Sequence, residues 1–391
     1  MKIAILTCGI LPIPAIQGGA VENLIDFYLE YNDKKKLHDI TIYSPWDEKI
    51  KKHPALFSDV NHYIYIDITS HKARLARKIY GYFHCNEYYN YFIEYYFEKI
   101  YANLKKNKFD YIILENSPGY AYKLSQRGYS NTILHLHNDL LNTISRHHDI
   151  ISNSITKIIT VSDYIKDRVS TVYPINKIQT IYNGIDLKKF FHQEVSYINR
   201  KKINFSEEDF IIVYNGRINK DKGVSELIDT MLQLKEYTKI KLLILGSSFF
   251  DNTNNKNEYV ETLKNKSLTI EKKITFTGFV PYSLIPYYLQ LADIAVLPSM
   301  WEEPFGLTIV EAMAAGLPLI TTRSGGIPEI CEGVATIVER NNIVDNLAKA
   351  ILDLYQHPGK RKQMALASVE RARLFDKETF SKNFFAAIEE F

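Results

Sequence analysis

The sequence has no run of 18 apolar residues, so no bilayer-spanning helix is expected from it. It has only three cysteines, Cys8, Cys85 and Cys331, an odd and widely spaced set. That excludes a disulfide framework and a zinc-ligand spacing and fits a reducing cytoplasm. Charge of one sign is also missing: 48 Lys and Arg stand against 45 Asp and Glu, a net +3. Such a balance gives no reason to expect a nucleic-acid partner. Neither G-x-G-x-x-G nor G-x-x-x-x-G-K-[ST] occurs, which removes the dinucleotide fingerprint and the P-loop. No Asp-x-Asp occurs either, so a divalent metal gripped by such a pair is not expected. The start, MKIAILTCGILPIPAI, is apolar but is broken by Pro12 and Pro14 and carries only Lys2 as a basic residue. It reads as a buried first strand and not as a signal peptide.

What is present is an ordinary globular chain, 46% hydrophobic and 24% charged, unusually rich in Tyr (28) and Phe (20). At 391 residues it is long for one core, and two domains are expected. Apolar strands alternate with helical spacing. Strands are expected at 2–10, 39–44, 61–67, 111–115, 132–137, 157–162 and 177–182. Helices are expected over 20–31, 71–106, 118–127 and 143–153, with a short one after Asp163. The polar stretch 187–208 reads as a linker. The pattern then restarts, with strands at 210–215, 240–245, 273–277, 294–298, 318–322 and 335–339. The matching helices are 224–236, 257–266, 283–291, 306–315, 343–355, 359–373 and 377–390. Strictly alternating strands and helices imply parallel sheets covered on both faces. Two doubly wound α/β domains are therefore expected, with ligands at the carboxyl ends of the strands.

The loops there carry the chemistry. Leu297 to Ile330 reads strand, loop, helix, strand, Gly-Gly turn, with Glu303 before the helix and Glu311 in its second turn. Pro304, Phe305 and Gly306 open that helix, Pro taking a first-turn position. A helix start can hold a phosphate, and a carboxylate farther along can accept from sugar hydroxyls. The plain alternative is a pair of surface carboxylates. Asn215-Gly216-Arg217 leads to Lys222-Gly223, two cations about a turn that suit a diphosphate or form a solvated basic turn. His135 and His137 alternate onto one face of a strand tip beside Asn138 and Asp139; a metal there would lack a further ligand cluster. The Gly18-Gly19 pair could approach a phosphate or sugar closely, or be a flexible turn. Residues 71–101 are basic then aromatic, which fits anionic headgroups or a long helix pair with a solvated face.

These residues resemble a family. Glu303-Pro-Phe-Gly-Leu-Thr-Ile-Val-Glu311 is similar to the E-x7-E signature of glycosyltransferase family 4, which has the GT-B fold. Arg217 through Lys222-Gly223 resembles its G-R-x4-K-G. Val161-Ser162, Asn183-Gly184-Ile185-Asp186 and Gly325-Gly326-Ile-Pro-Glu329 resemble its other markers. The resemblance implies an acceptor domain over 1–190 joined by the last helix, 377–391, and a nucleotide-sugar domain over 205–376. It implies that Arg217 and Lys222 neutralise a diphosphate, supported by amides around Phe305, Gly306, Leu307 and Thr308. Glu311 would then bind ribose and Glu303 the donor sugar. His137 would lie by the donor's C6 hydroxyl or the reacting centre, Gly18 and Gly19 by the phosphate and the acceptor, and Phe279 to Tyr282 by the base. The implied reaction is retaining transfer, without metal or other cofactor, of a hexose or N-acetylhexosamine, with a UDP-sugar favoured. The implied acceptor is a glycan, lipid-linked if 71–101 meets the inner membrane surface. A cytoplasmic or peripheral membrane location in surface polysaccharide synthesis follows. An epimerase-like or phosphorylase enzyme of the same fold, or a nucleotide-sugar-binding protein without turnover, is the alternative; nothing marks the dedicated Lys of a pyridoxal phosphate phosphorylase.

Overall fold

The computed structural model describes residues 1–83, 91–191, 198–247 and 258–390. Cys85 and the centre of the basic-aromatic segment, 84–90, lie outside the described residues, as do 192–197 of the expected linker. The chain divides into two compact units. One is Met1–Asn183 with Lys377–Phe391, and the other is Gly184–Asp376.

Among the described residues the first unit carries a seven-stranded sheet. Its strands are β1 (Lys2–Leu6), β2 (Asp39–Pro45), β3 (Asn61–Ile66), β4 (Tyr111–Glu115), β5 (Thr132–Leu136), β6 (Ile155–Thr160) and β7 (Ile178–Thr180), in the order 3-2-1-4-5-6-7. All pairs are parallel. The central strands are continuous runs of Ile and Leu because both faces are covered, so no polar alternation survives. One cover is the helix Ala20–Lys35, which packs against the last helix, Lys377–Glu389. Phe384 stacks on Tyr28 at 4.3 Å, and Phe380, Phe384 and Phe385 are buried. Lys377 bonds Glu30 at 3.2 Å, and Lys157 bonds the Ala387 carbonyl at 2.9 Å. The C-terminal helix is thus part of the first unit, although the intervening chain belongs to the second.

The second unit carries β8 (Phe210–Asn215), β9 (Ile240–Leu245), β10 (Ile274–Phe276), β11 (Ile294–Leu297), β12 (Leu319–Thr322) and β13 (Thr336–Val338), in the order 10-9-8-11-12-13, again parallel. In each sheet the order reverses beside the first strand, between β1 and β4 and between β8 and β11. Such switch points are where open parallel sheets bind ligands, because adjacent loops there diverge.

Two expectations need correction. The stretch 187–208 is not a free linker: Leu187–Phe190 is helical, and Leu187, Phe190, Ile203 and Phe205 are buried in the second unit. The helix expected at 143–153 begins only at His148, after a turn in which Asn142 N donates to Ser145 Oγ at 2.9 Å and Ser145 Oγ donates to the Leu140 carbonyl at 3.0 Å. Of the helix expected over 71–106, His71–Phe83 and Tyr91–Leu104 are helical, and 84–90 lies outside the described residues. No helix among the described residues is long and apolar enough to cross a membrane.

Candidate functional site

In the second unit the side chains from the two strands beside the switch point bond one another. Asn215 ends β8, and its Nδ2 donates to Glu311 Oε2 at 2.8 Å. The chain then turns through Arg217, whose carbonyl accepts from Tyr214 Oη at 2.7 Å. Arg217 itself is exposed, while Lys222 is half-buried at the end of the short 3-10 turn Lys220–Lys222. Lys222 Nζ lies 2.5 Å from Glu303 Oε2 and 5.3 Å from the centroid of the Trp301 ring. Trp301 Nε1 and Ser299 Oγ donate to the same oxygen at 2.8 and 3.2 Å.

The helix that bears Glu311 is Leu307–Ala314. Pro304 precedes it, contrary to the first-turn placement expected, and Gly306 is its cap at φ 104°. Only glycine adopts that backbone without strain, and a Cβ there would press on Ile309 at 3.2 Å. Leu307 and Thr308, the first helical residues, have no carbonyl a turn earlier within the helix for their N–H groups. Phe305 is buried against Phe375 at 5.8 Å, so its backbone and not its ring faces the loop. The loop is also held from β12: Gly326 N donates to the Glu303 carbonyl at 2.8 Å. At Gly325, φ 51°, any side chain would collide with that carbonyl.

The two glutamates of the element differ in their surroundings. Glu303 has a cation as partner. Glu311 is buried among neutral donors, Asn215 and Tyr282. Burial pushes its carboxyl up to about 7, and the two hydrogen bonds offset only part of that. Tyr282, placed with the base by the resemblance, is thus engaged by Glu311, whereas Phe279 is 39% exposed. A helix start, Arg217 and Lys222, and two carboxyls therefore occupy one strand-loop-helix element and its neighbour.

In the first unit the tips of β4 and β5 build a buried network. Glu115 pairs with His135 in the ladder and is 1% exposed. It accepts from Tyr28 Oη at 2.9 Å, lies 3.0 Å from His135 Nδ1 and 2.8 Å from His137 Nε2. The His135 and His137 rings, on one face as alternation requires, are 4.1 Å apart. Burial alone would raise the Glu115 carboxyl; the two imidazoles outweigh it and hold the carboxyl well below the usual range. Burial, with His135 adjacent, pushes His137 down to about 4. Asp139 turns away to Arg168 at 2.8 Å. Glu22, on the helix that follows Gly18-Gly19, packs onto Gly19, and burial lifts its carboxyl to about 7.

Donor atoms of Glu115, His135 and His137 lie within 4.8 Å of one another, close enough for a metal ion. The fit is poor on chemical grounds. A ligating imidazole normally donates its other N–H to a partner. Here His135 Nε2 and His137 Nδ1 have none among the described residues.

Of the residues singled out from the sequence, Arg217 follows β8, Glu303 follows β11 and His137 follows β5, while Lys222 ends a short 3-10 turn, Glu311 lies in the helix Leu307–Ala314 and Gly18-Gly19 precedes the helix Ala20–Lys35. Sequence reasoning passed over Glu115, Glu22, Ser299 and Trp301. Glu115 had a signal: a carboxylate closing the apolar run YIILE has to find partners. Trp301 had none, because an indole beside Glu-Glu reads as packing.

Comparison with known proteins follows this division. Residues 196–371 match the family model for glycosyl transferases group 1, and residues 33–189 match that for glycosyltransferase family 4. A putative glycosyltransferase of Bacillus subtilis, YtcC, is 30% identical over 370 residues, covering 90% of this chain and 82% of its own. Spore coat protein SA of the same organism is 29% identical, covering 85% and 83%. Among solved structures, Anabaena Alr3699/HepE, described in complexes with UDP and with UDP-glucose, superposes with a TM-score of 0.75 at 20% identity over the whole of both chains. Two parallel α/β units, both family models and a relative matched along nearly its full length lead to one conclusion: the chain is a GT-B glycosyltransferase and belongs to glycosyltransferase family 4.

Proposed function

We propose that the protein transfers a hexose or N-acetylhexosamine from a nucleoside diphosphate sugar, UDP-linked in the first instance, to a hydroxyl of a glycan acceptor, with retention at the anomeric carbon and without a metal. The observation that carries this is the helix Leu307–Ala314. Its start lies beside Lys222 and Glu303, and its second turn presents Glu311 to Asn215. One short element thus joins an anion site to a hydroxyl acceptor.

In this reading Arg217 and Lys222 neutralise the diphosphate, and the amides of Gly306, Leu307 and Thr308 support it. Glu311 accepts from ribose, Glu303 from the donor sugar, and the base lies by Phe279. The bond from the anomeric carbon to the leaving diphosphate breaks as the acceptor oxygen bonds that carbon on the same face. The acceptor proton passes to the departing phosphate oxygen. The charge developing there is what preorganised cations and amides stabilise. UDP is favoured because the structurally similar Anabaena protein carries it.

A lipid-linked acceptor is the finer part of the proposal. On the helix His71–Phe83, Leu75, Ile79, Tyr82 and Phe83 are 53–86% exposed among Lys72, Arg74 and Lys78. That mixture suits an anionic headgroup layer. A thermal-shift panel of nucleotides and sugar nucleotides tests the donor. A ligand at 100 times its Kd adds about 2.7 kcal/mol to the native state. A panel in which no nucleotide raises Tm would overturn the assignment.

A further inference from the structure

Glu303 offers one carboxylate oxygen to three donors. Lys222 Nζ, Trp301 Nε1 and Ser299 Oγ all meet Oε2, and Oε1 takes no hydrogen bond among the described residues. The indole contacts both members of the ion pair, its N–H on the carboxylate and its ring beside the ammonium at 5.3 Å. The backbone that carries it is fixed on both sides. Met300 N donates to the Asp221 carbonyl at 2.8 Å, which ties the loop to the turn bearing Lys222. Arg340 Nη1 donates to the Met300 carbonyl at 3.2 Å, and Thr322 Oγ1 to the Ser299 carbonyl at 2.6 Å.

We propose that Trp301 is a positioning residue: it holds Oε2 of Glu303 and thereby reserves Oε1 for a hydroxyl of the transferred sugar. This rests on the reading of Glu303 as the sugar-facing carboxylate. Lys222 cannot orient Glu303 by itself, because the diphosphate competes for the same ammonium. When Lys222 turns to phosphate, two neutral donors, Trp301 and Ser299, remain on Oε2. The carboxylate then keeps its rotamer at the moment the sugar arrives, and no ordering is left for the ligand to impose. Hydrogen bonds to a charged acceptor are the stronger class, so losing one is measurable.

The test separates sugar from diphosphate. Trp301→Phe keeps a ring beside Lys222 and removes only the N–H. UDP and UDP-glucose serve as probes in calorimetry, replaced by whichever nucleoside diphosphate and sugar nucleotide the thermal panel selects. UDP affinity is expected to stay within about twofold of wild type, which also shows that the variant is folded. Affinity for the sugar nucleotide, or kcat/KM for its transfer, is expected to fall roughly 10- to 100-fold. Ser299→Ala should move the same quantity in the same direction by less. Equal effects of Trp301→Phe on both probes, or no effect on either, would overturn the role of Trp301 and leave the donor assignment standing. Failure of wild type to bind any nucleoside diphosphate would instead overturn the donor assignment.

Discussion

Glu115 in the first unit and Glu311 in the second occupy comparable places. Each is a buried carboxylate beside a reversal of strand order, Glu115 at the end of β4 and Glu311 in the helix that follows β11. Their carboxyls are shifted in opposite directions. Two imidazoles and a tyrosine hydroxyl surround Glu115, and its carboxyl is held low. An amide and a tyrosine hydroxyl surround Glu311, and its carboxyl rises to about 7. Burial raises both carboxyls; at Glu115 the two imidazoles outweigh it, and at Glu311 the neutral donors do not. The first unit keeps a fixed anion that orders two histidines. The second keeps a carboxyl poised to lose its proton, which suits a group that is to accept from ligand hydroxyls.

The sharpest way to break this contrast is Glu115→Gln. Removing the charge from a buried, paired site is expected to cost about 3–5 kcal/mol in urea denaturation at pH 7. A neutral outcome would mean that the histidines need no anion. Lys222→Ala should lower kcat/KM for transfer by about 10²–10³, as for loss of one preorganised charge donor, with little change in the urea midpoint. Equal transfer rates would remove Lys222 from the site.

The pH dependence sharpens the contrast further. The folded value of Glu311 lies above its unfolded one, so its contribution is fully present below about pH 4.5 and is lost as pH rises to about 7. Glu311→Gln should flatten that decline, with a gain at pH 8 of at most roughly 3 kcal/mol. Glu115 and His137 run the other way. Both folded values are depressed, so their contribution is lost on acidification, for His137 between about pH 6.5 and 4. A variant with the same slope as wild type would refute the assignment for Glu311. The smallest effect concerns the surface of the first unit. Lys72→Ala and Arg74→Ala should each weaken sedimentation with anionic vesicles at low salt by about 1 kcal/mol. Identical binding of both variants would deny the headgroup contact.

Much of this was legible in the sequence. The two-unit α/β fold was, because buried parallel strands leave unbroken apolar runs such as KIAIL and FIIVYN. The E-x7-E element and the Arg217–Lys222 turn were too, because helix starts, glycines and paired charges keep fixed local spacing. The helical character of 187–190 was not, since a polar stretch reveals nothing of the apolar residues it buries until the core they meet is known.

The sequence by itself determined the family, the parallel sheets and the identity of the charged groups that meet the strand ends. Only the tertiary structure decided their pairing and charge. Glu115 lies 20 residues from His135, and Trp301 lies 79 from Lys222. Their contacts depend on strand order and on loops closed over a switch point. A carboxylate's protonation follows from which donors that closure brings within 3 Å, and chain spacing does not encode it.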